Sequence, residues 1–140
     1  MKIWKVDFTP SDLNQGSVGN MGEYVGIEFV EAGDDYLAAI MPVDHRTKQP
    51  AGILHGGASV VLAETLGSVA SHLVIDLEKN YAVGLDINAN HLRAVSSGFV
   101  KGIAKPIHLG RSTHVWEIKI FNEEGKMTCI SRLTMAILSR

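Results

Sequence analysis

The chain has 140 residues, 46% of them hydrophobic and 20% charged, which is enough for one domain with one core. Its formal net charge of −2 gives no general attraction to nucleic acid or to an anionic membrane surface. A lone cysteine, Cys129, excludes an intrachain disulfide framework and fits a reducing cytoplasm.

The opening "MKIWKVDFTPSDLNQ" lacks the apolar centre of a signal peptide, and no apolar run approaches the ~20 residues of a membrane span. Thr9 followed by Pro10 predicts a helix cap and first helical residue, with a short helix running to about Gln15. Two strands are expected next, Glu23–Val30 and Tyr36–Met41, joined by the turn "AGDD". The polar stretch "DHRTKQPAGILHGG" makes a long connection into a helix from Gly57 to about Leu77, roughly 30 Å at 1.5 Å per residue. After that helix the hydrophobic period changes to two. Val83, Leu85, Ile87 and Ala89 fall on one face of a strand, and Asp86, Asn88 and Asn90 on the other. "GFVKGIAKPI", "STHVWEIKIF" and "KMTCISRLTMAIL" complete the strands, the last two joined through the hairpin turn "NEEG". Short turns favour antiparallel pairing, and the helix has only that sheet to pack on. The expected architecture is α+β, a curled antiparallel sheet wrapped around one long central helix.

That helix raises the functional question. Val60, Val61, Leu62, Leu66, Val69, Ala70, Leu73 and Val74 occupy most of its circumference, the pattern of a buried helix. The remaining stripe is Glu64, Gly67, Ser68 and Ser71, small residues around one acid, expected to let another backbone or a ligand approach. An exposed glutamate on a helix edge is the plain alternative. Just before the helix stands "HGG", His55 to Gly57. Free N–H groups and the positive end of the dipole lie at a helix N-terminus, and glycine lets a ligand oxygen come close. A donor so placed can hold the negative charge that develops on a carbonyl oxygen. The same glycines also serve a tight turn, and "HGG" alone does not separate the two uses.

Spacing sharpens the case. Gly56 and Glu64 are eight residues apart, roughly 12 Å along one helix axis. They cannot both touch one carbonyl from the same chain. If they share a reaction, the acid comes from a second subunit whose helix runs antiparallel across a two-fold axis.

"MPVDHRTKQPAGILHGGASVVLAETLGSVA", "VGLDINANHLR", "KPIHLGRSTHVWEI" and "SRLTMAIL" resemble, in order, the hotdog-fold thioesterases. The likeness is to the bacterial branch of 1,4-dihydroxy-2-naphthoyl-CoA thioesterases and aryl-carrier-protein proofreading thioesterases. It covers nearly the whole chain, and residues 1–140 are expected to form one hotdog domain. The resemblance implies thioester hydrolysis at sites shared across a homodimer, usually paired again into a tetramer. It implies Glu64 as nucleophile or base toward water, and Gly56 as backbone donor to the thioester carbonyl. It places Gln49 and His55 beside that carbonyl, and Ser68 as a hydroxyl that helps to position water or acyl group. His91 and Arg93 match positions that face the CoA nucleotide; Gly110, Arg111 and Ser112 match a phosphate-contacting turn. "LGRST" departs locally from the family's pattern. Implied partners are an acyl-CoA or an acyl carrier protein, with neither nucleic acid nor membrane. No cofactor or metal is implied.

The residue chemistry agrees with these roles. A thioester is already activated, so one carboxylate and one oxyanion donor suffice. Arg93, Lys105 and Arg111 carry charge suited to phosphates, or are solvated strand ends. Cys129 reads as a packing residue. The six histidines show neither HxxxH nor HxH spacing. No G-x-S-x-G nucleophile elbow, G-x-x-x-x-G-K-[ST] or G-x-G-x-x-G occurs. Two hotdog alternatives remain: a hydratase using His55 with an acid, and a non-catalytic acyl-CoA-binding protein.

Overall fold

Local side-chain chemistry begins the fold. In a computed structural model describing Met1–Arg140, helix α1 spans Pro10–Gly16. The Thr9 hydroxyl accepts from the Asp12 N–H, and Asp12 returns the contact to the Thr9 N–H, closing a capping box. A second short helix, α2 (Met21–Tyr24), occupies the start of the stretch expected as strand. Asn20 caps it by accepting from the Gly22 N–H, and Gly26 at φ 82° then turns the chain. Strand β1 therefore begins only at Glu28 and runs to Ala32. The local cap outweighed the apolar alternation.

The remaining elements are β2 (Leu37–Pro42), α3 (Gly56–Leu73), β3 (Asn80–His91), β4 (Phe99–Leu109), β5 (Thr113–Phe121) and β6 (Met127–Ser139). All six strands form one sheet in the order β1-β2-β4-β5-β6-β3, with every neighbour antiparallel. Helix α3 packs against β2, β3, β4, β5 and β6. Leu62, Leu66, Trp116, Ile118, Ile120 and Leu133 are almost wholly buried between helix and sheet. The curled sheet around one central helix is the expected hotdog architecture. No helix is long and apolar enough to cross a membrane.

Three expectations change in detail. Helix α3 stops at Leu73 rather than Leu77, because Asp76 builds a competing turn. Its side chain accepts from the Glu78 N–H, and its carbonyl accepts from Lys79 and Asn80. In β3 the register shifts between Gly84 and Asp86, which leaves Leu85 as the extra residue of a bulge. A bulge inverts the alternation that follows it. Ile87 and Ala89 consequently pack against the core, while Val83 and Leu85 point outward and are 39% and 63% exposed.

The third change concerns the small-residue stripe of α3. Gly67 and Ser71 face the helix's own sheet rather than a second copy, whereas Val60, Val61 and Val69 are only half-buried. A Cβ on Gly67 would lie 2.5 Å from Leu133 Cδ2, so glycine here makes room for a core leucine. Ser71 ties helix to sheet: Trp116 Nε1 donates to its hydroxyl at 2.7 Å, and that hydroxyl lies 2.9 Å from His114 Nδ1. The serine oxygen accepts the indole N–H and keeps one proton and one further lone pair, so it pairs with neutral His114 in either tautomer.

His114 is 3% exposed. Burial, and secondarily the charge of His108, lowers it from 6.5 to about 4. An unfolded chain binds this proton below pH 6.5, while the folded protein refuses it until about pH 4. The stabilisation is thus complete above pH 6.5 and lost as the pH falls through that window. The loss is roughly 3 kcal/mol at its lower end. Thermal unfolding between pH 7.5 and 4.5 should show this as a falling midpoint, with a shallower fall in His114→Gln. Equal slopes in the two proteins would refute the assignment.

Candidate active site

The N-terminus of α3 presents a free donor. The Gly57 N–H is taken by His55 Nδ1 at 2.7 Å, and those of Ala58 and Ser59 by the His55 carbonyl. The Gly56 N–H has no acceptor within the chain. Since His55 Nδ1 accepts, the proton of the neutral ring resides on Nε2, which is left to donate outward. The Gln49 carbonyl oxygen accepts from the Ala51 N–H, so its amide NH₂ is the end available to a ligand. Glycine at 56 lets the His91 imidazole lie close against the turn. A Cβ there would lie 2.9 Å from His91 Nε2.

Gln49, Gly56, His91 and Arg93 line one cleft of about 420 Å³, together with Ile53, Leu54 and Ser59. The sequence reading assigned His91 to the nucleotide end; the structure sets its imidazole against Gly56, beside the free donor. His55, the exposed cap of α3, is not among the residues that line the cleft.

Glu64 is not in this cleft. It is half-buried, two turns further along α3, and its carboxylate faces Gly84 of β3, where a Cβ would be 3.0 Å from Oε2. It forms neither an ion pair nor a hydrogen bond within the chain. Ser68, one turn on, shares this face, and its hydroxyl lies 3.7 Å from Met135 Sδ. Met135 is the β6 partner of Gly84. The two residues therefore stand together beside the middle of β3, the edge strand whose outer side has no neighbour.

The Gly110–Ser112 turn forms a third group. The Gly110 N–H donates to the Thr113 carbonyl, and Ser112 accepts from Ile137 at the far end of β6. Thr113 pairs with Ala136, whereas His91 pairs with Cys129. Seven residues of β6 separate the two pairings, roughly 23 Å of strand. Arg93 and Arg111 are exposed and make no ion pair, but Lys105 stands 3.8 Å from Asp35. Of the three cations expected to meet phosphates, the two arginines are therefore the unpaired ones. No cluster of three or more His, Cys, Asp or Glu side chains is placed to hold a metal ion.

One chain therefore holds an oxyanion-type donor in a cleft, an acid about 12 Å away, and a basic turn at the opposite end of the sheet. Sequence reasoning missed Ser59, which lies inside the cleft on the buried side of α3; its place amid apolar core positions was the available signal.

Residues 51–129 match the family described as the thioesterase superfamily. The 1,4-dihydroxy-2-naphthoyl-CoA hydrolase of Escherichia coli strain K12 is 55% identical over 97% of this chain and 99% of its own length. The proofreading thioesterase EntH of Cronobacter turicensis is 52% identical over 97% of this chain and 98% of its own. The crystal structure of the Q49A mutant of thioesterase PA1618 from Pseudomonas aeruginosa superposes with a TM-score of 0.98. That protein is 50% identical, and the match covers 99% of this chain and 100% of the other. With fold and relatives in agreement, the chain belongs to the thioesterase superfamily as a hotdog-fold thioester hydrolase.

Proposed function

We propose that the protein hydrolyses aromatic acyl-CoA thioesters, with 1,4-dihydroxy-2-naphthoyl-CoA of menaquinone synthesis as its physiological substrate, at two sites shared across a homodimer. The observation that carries this reading is the separation of a free Gly56 N–H from an unpartnered Glu64 along the same helix. The Gly56 N–H and the Gln49 amide hold the thioester oxygen, with His55 Nε2 beside them. The partner subunit's Glu64 acts in one of two ways. It takes a proton from water, placed by the partner's Ser68, as that water attacks the carbonyl and expels the CoA thiolate. Alternatively it attacks the carbonyl itself, expelling the thiolate and leaving an anhydride that water then hydrolyses to the acid, regenerating the partner's Glu64. No cofactor enters this scheme.

The edge strand supports the dimer. β3 has an open side along 12 residues, with Val83 and Leu85 exposed, a surface that invites pairing with another strand. Antiparallel pairing of two β3 strands sets the His91 end of one against the Asn80 end of the other. The Gly110 turn and Asn80 border the same hollow, so this pairing brings Arg111 of one chain toward Arg93 of its mate. Two separated arginines thereby converge on one nucleotide. We read the reaction as cytoplasmic, a compartment that the free, buried cysteine fits.

The resemblance to EntH favours a second reading, removal of wrongly loaded aryl groups from a carrier protein in siderophore synthesis. Both substrates present a phosphopantetheine thioester, but only CoA supplies a nucleotide for the arginines. The test is thiol release from 1,4-dihydroxy-2-naphthoyl-CoA, benzoyl-CoA, a long-chain fatty acyl-CoA and benzoyl carrier protein, ranked by kcat/KM. The naphthoyl-CoA should rank first. A carrier-linked thioester in first place would support proofreading. Absorbance change on an enoyl-CoA without thiol release would mark a hydratase and refute both.

A further inference from the structure

One polar group in the cleft has no role in this scheme. Ser59 lies one turn into α3 from Gly56, is 3% exposed, and has no hydrogen-bond partner for its hydroxyl within the chain. A helical serine often satisfies itself on the carbonyl four residues back. Here that carbonyl, of His55, takes the N–H groups of Ala58 and Ser59 instead. Another buried serine without a partner, Ser131, is sealed inside the core, whereas Ser59 opens onto the cleft. The Ser59 hydroxyl is therefore reachable from the cleft and free to pair with a ligand atom there.

Position limits which atom that is. Residues three apart on a helix carry Cβ atoms about 5–6 Å from each other. An oxygen bound at the Gly56 N–H therefore leaves Ser59 Oγ next to substituents two or three bonds from the carbonyl carbon. In an aroyl thioester these are the groups on the ring carbon ortho to the carbonyl. A hydroxyl there would otherwise turn its proton onto the thioester oxygen, in competition with Gly56. Apolar Ile53 and Leu54 line the same cleft, with Gln49, His91 and Thr128 as its other side chains able to accept a hydrogen bond. We infer that Ser59 is a specificity-determining residue that accepts a hydrogen bond from a hydroxyl ortho to the thioester on an aromatic acyl group. The inference rests on the aroyl thioesterase reading above. A site built to pair with a substrate hydroxyl disfavours the analogue lacking it, because its own polar group is then left unpaired.

The experiment compares kcat/KM for 2-hydroxybenzoyl-, 4-hydroxybenzoyl- and benzoyl-CoA in the wild type and in Ser59→Ala. The variant should lose about tenfold on the 2-hydroxy substrate, the size of one neutral hydrogen bond, and stay within twofold on the other two. Its thermal midpoint should equal or exceed that of the wild type, since no intramolecular bond is removed. An equal loss on all three would assign Ser59 to the shared pantetheine arm and overturn the inference, as would no loss at all. Those outcomes leave the aroyl reading standing. A wild-type enzyme inactive on all three would overturn that reading and this inference with it.

Discussion

Glu64→Gln is expected to fold normally and to lower kcat by ~10² or more, with a smaller change in KM. Gln keeps the shape of Glu and removes only its charge and basicity. Glu64 has no ion pair or hydrogen bond inside its own chain, and its carboxylate only borders Gly84, so nothing in the fold depends on the charge. The loss belongs to chemistry, whether the carboxylate attacks the carbonyl or activates water. Near-identical circular dichroism and thermal midpoint, together with the fall in kcat, would establish this. Turnover within a few-fold of wild type would remove Glu64 from the reaction and with it the central element of the scheme.

The second large effect comes from mixing inactive subunits. Glu64→Ala in one chain and the double change Gln49→Ala/His55→Ala in another should each be nearly inactive alone. If every site takes Gln49, His55 and Gly56 from one chain and Glu64 from its mate, a mixed dimer holds one intact site and one carrying all the lesions. Random pairing makes half of the dimers mixed, and half the sites in those are whole. Recovery should reach roughly a quarter of wild-type activity, as the symmetry of an isologous dimer requires. The geometry motivates the test directly, because the cleft that holds Gln49 and Gly56 does not contain Glu64. Mixed dimers verified by native mass spectrometry, with no gain over the separate variants, would show that each site is built within one chain.

Much of this layout was legible in the residues. Thr9-Pro10 marked α1, the period-two runs marked four consecutive strands, and the glycine pair marked the start of α3 within one residue. Caps, turns and alternation are properties of the local backbone, so they survive without knowledge of the neighbours. Where two local signals competed, the weaker one misled. Asn20 and Gly26 bracket a short helix in a stretch whose alternation favours strand, and Asp76 ends α3 four residues early.

The order of strands and helix, and the impossibility of one chain uniting Gly56 with Glu64, follow from the sequence and helix geometry by themselves. The hydrogen bonds of the folded turn, by contrast, decided that the Gly56 N–H is the free donor. Facing was decided only by tertiary packing. The bulge at Leu85 inserts one residue into β3 and inverts the faces beyond it, and no composition or period announces it. Gly67 and Ser71 share a helical stripe with Glu64. Even so, Leu133 fills the space over Gly67, and the His114–Trp116 pair draws Ser71 into the core. Which side of a helix turns inward depends on the volumes and hydrogen-bonding groups that the opposing sheet presents. Those groups come from β5 and β6, more than 40 residues away along the chain, and meet the helix only when the sheet has closed around it.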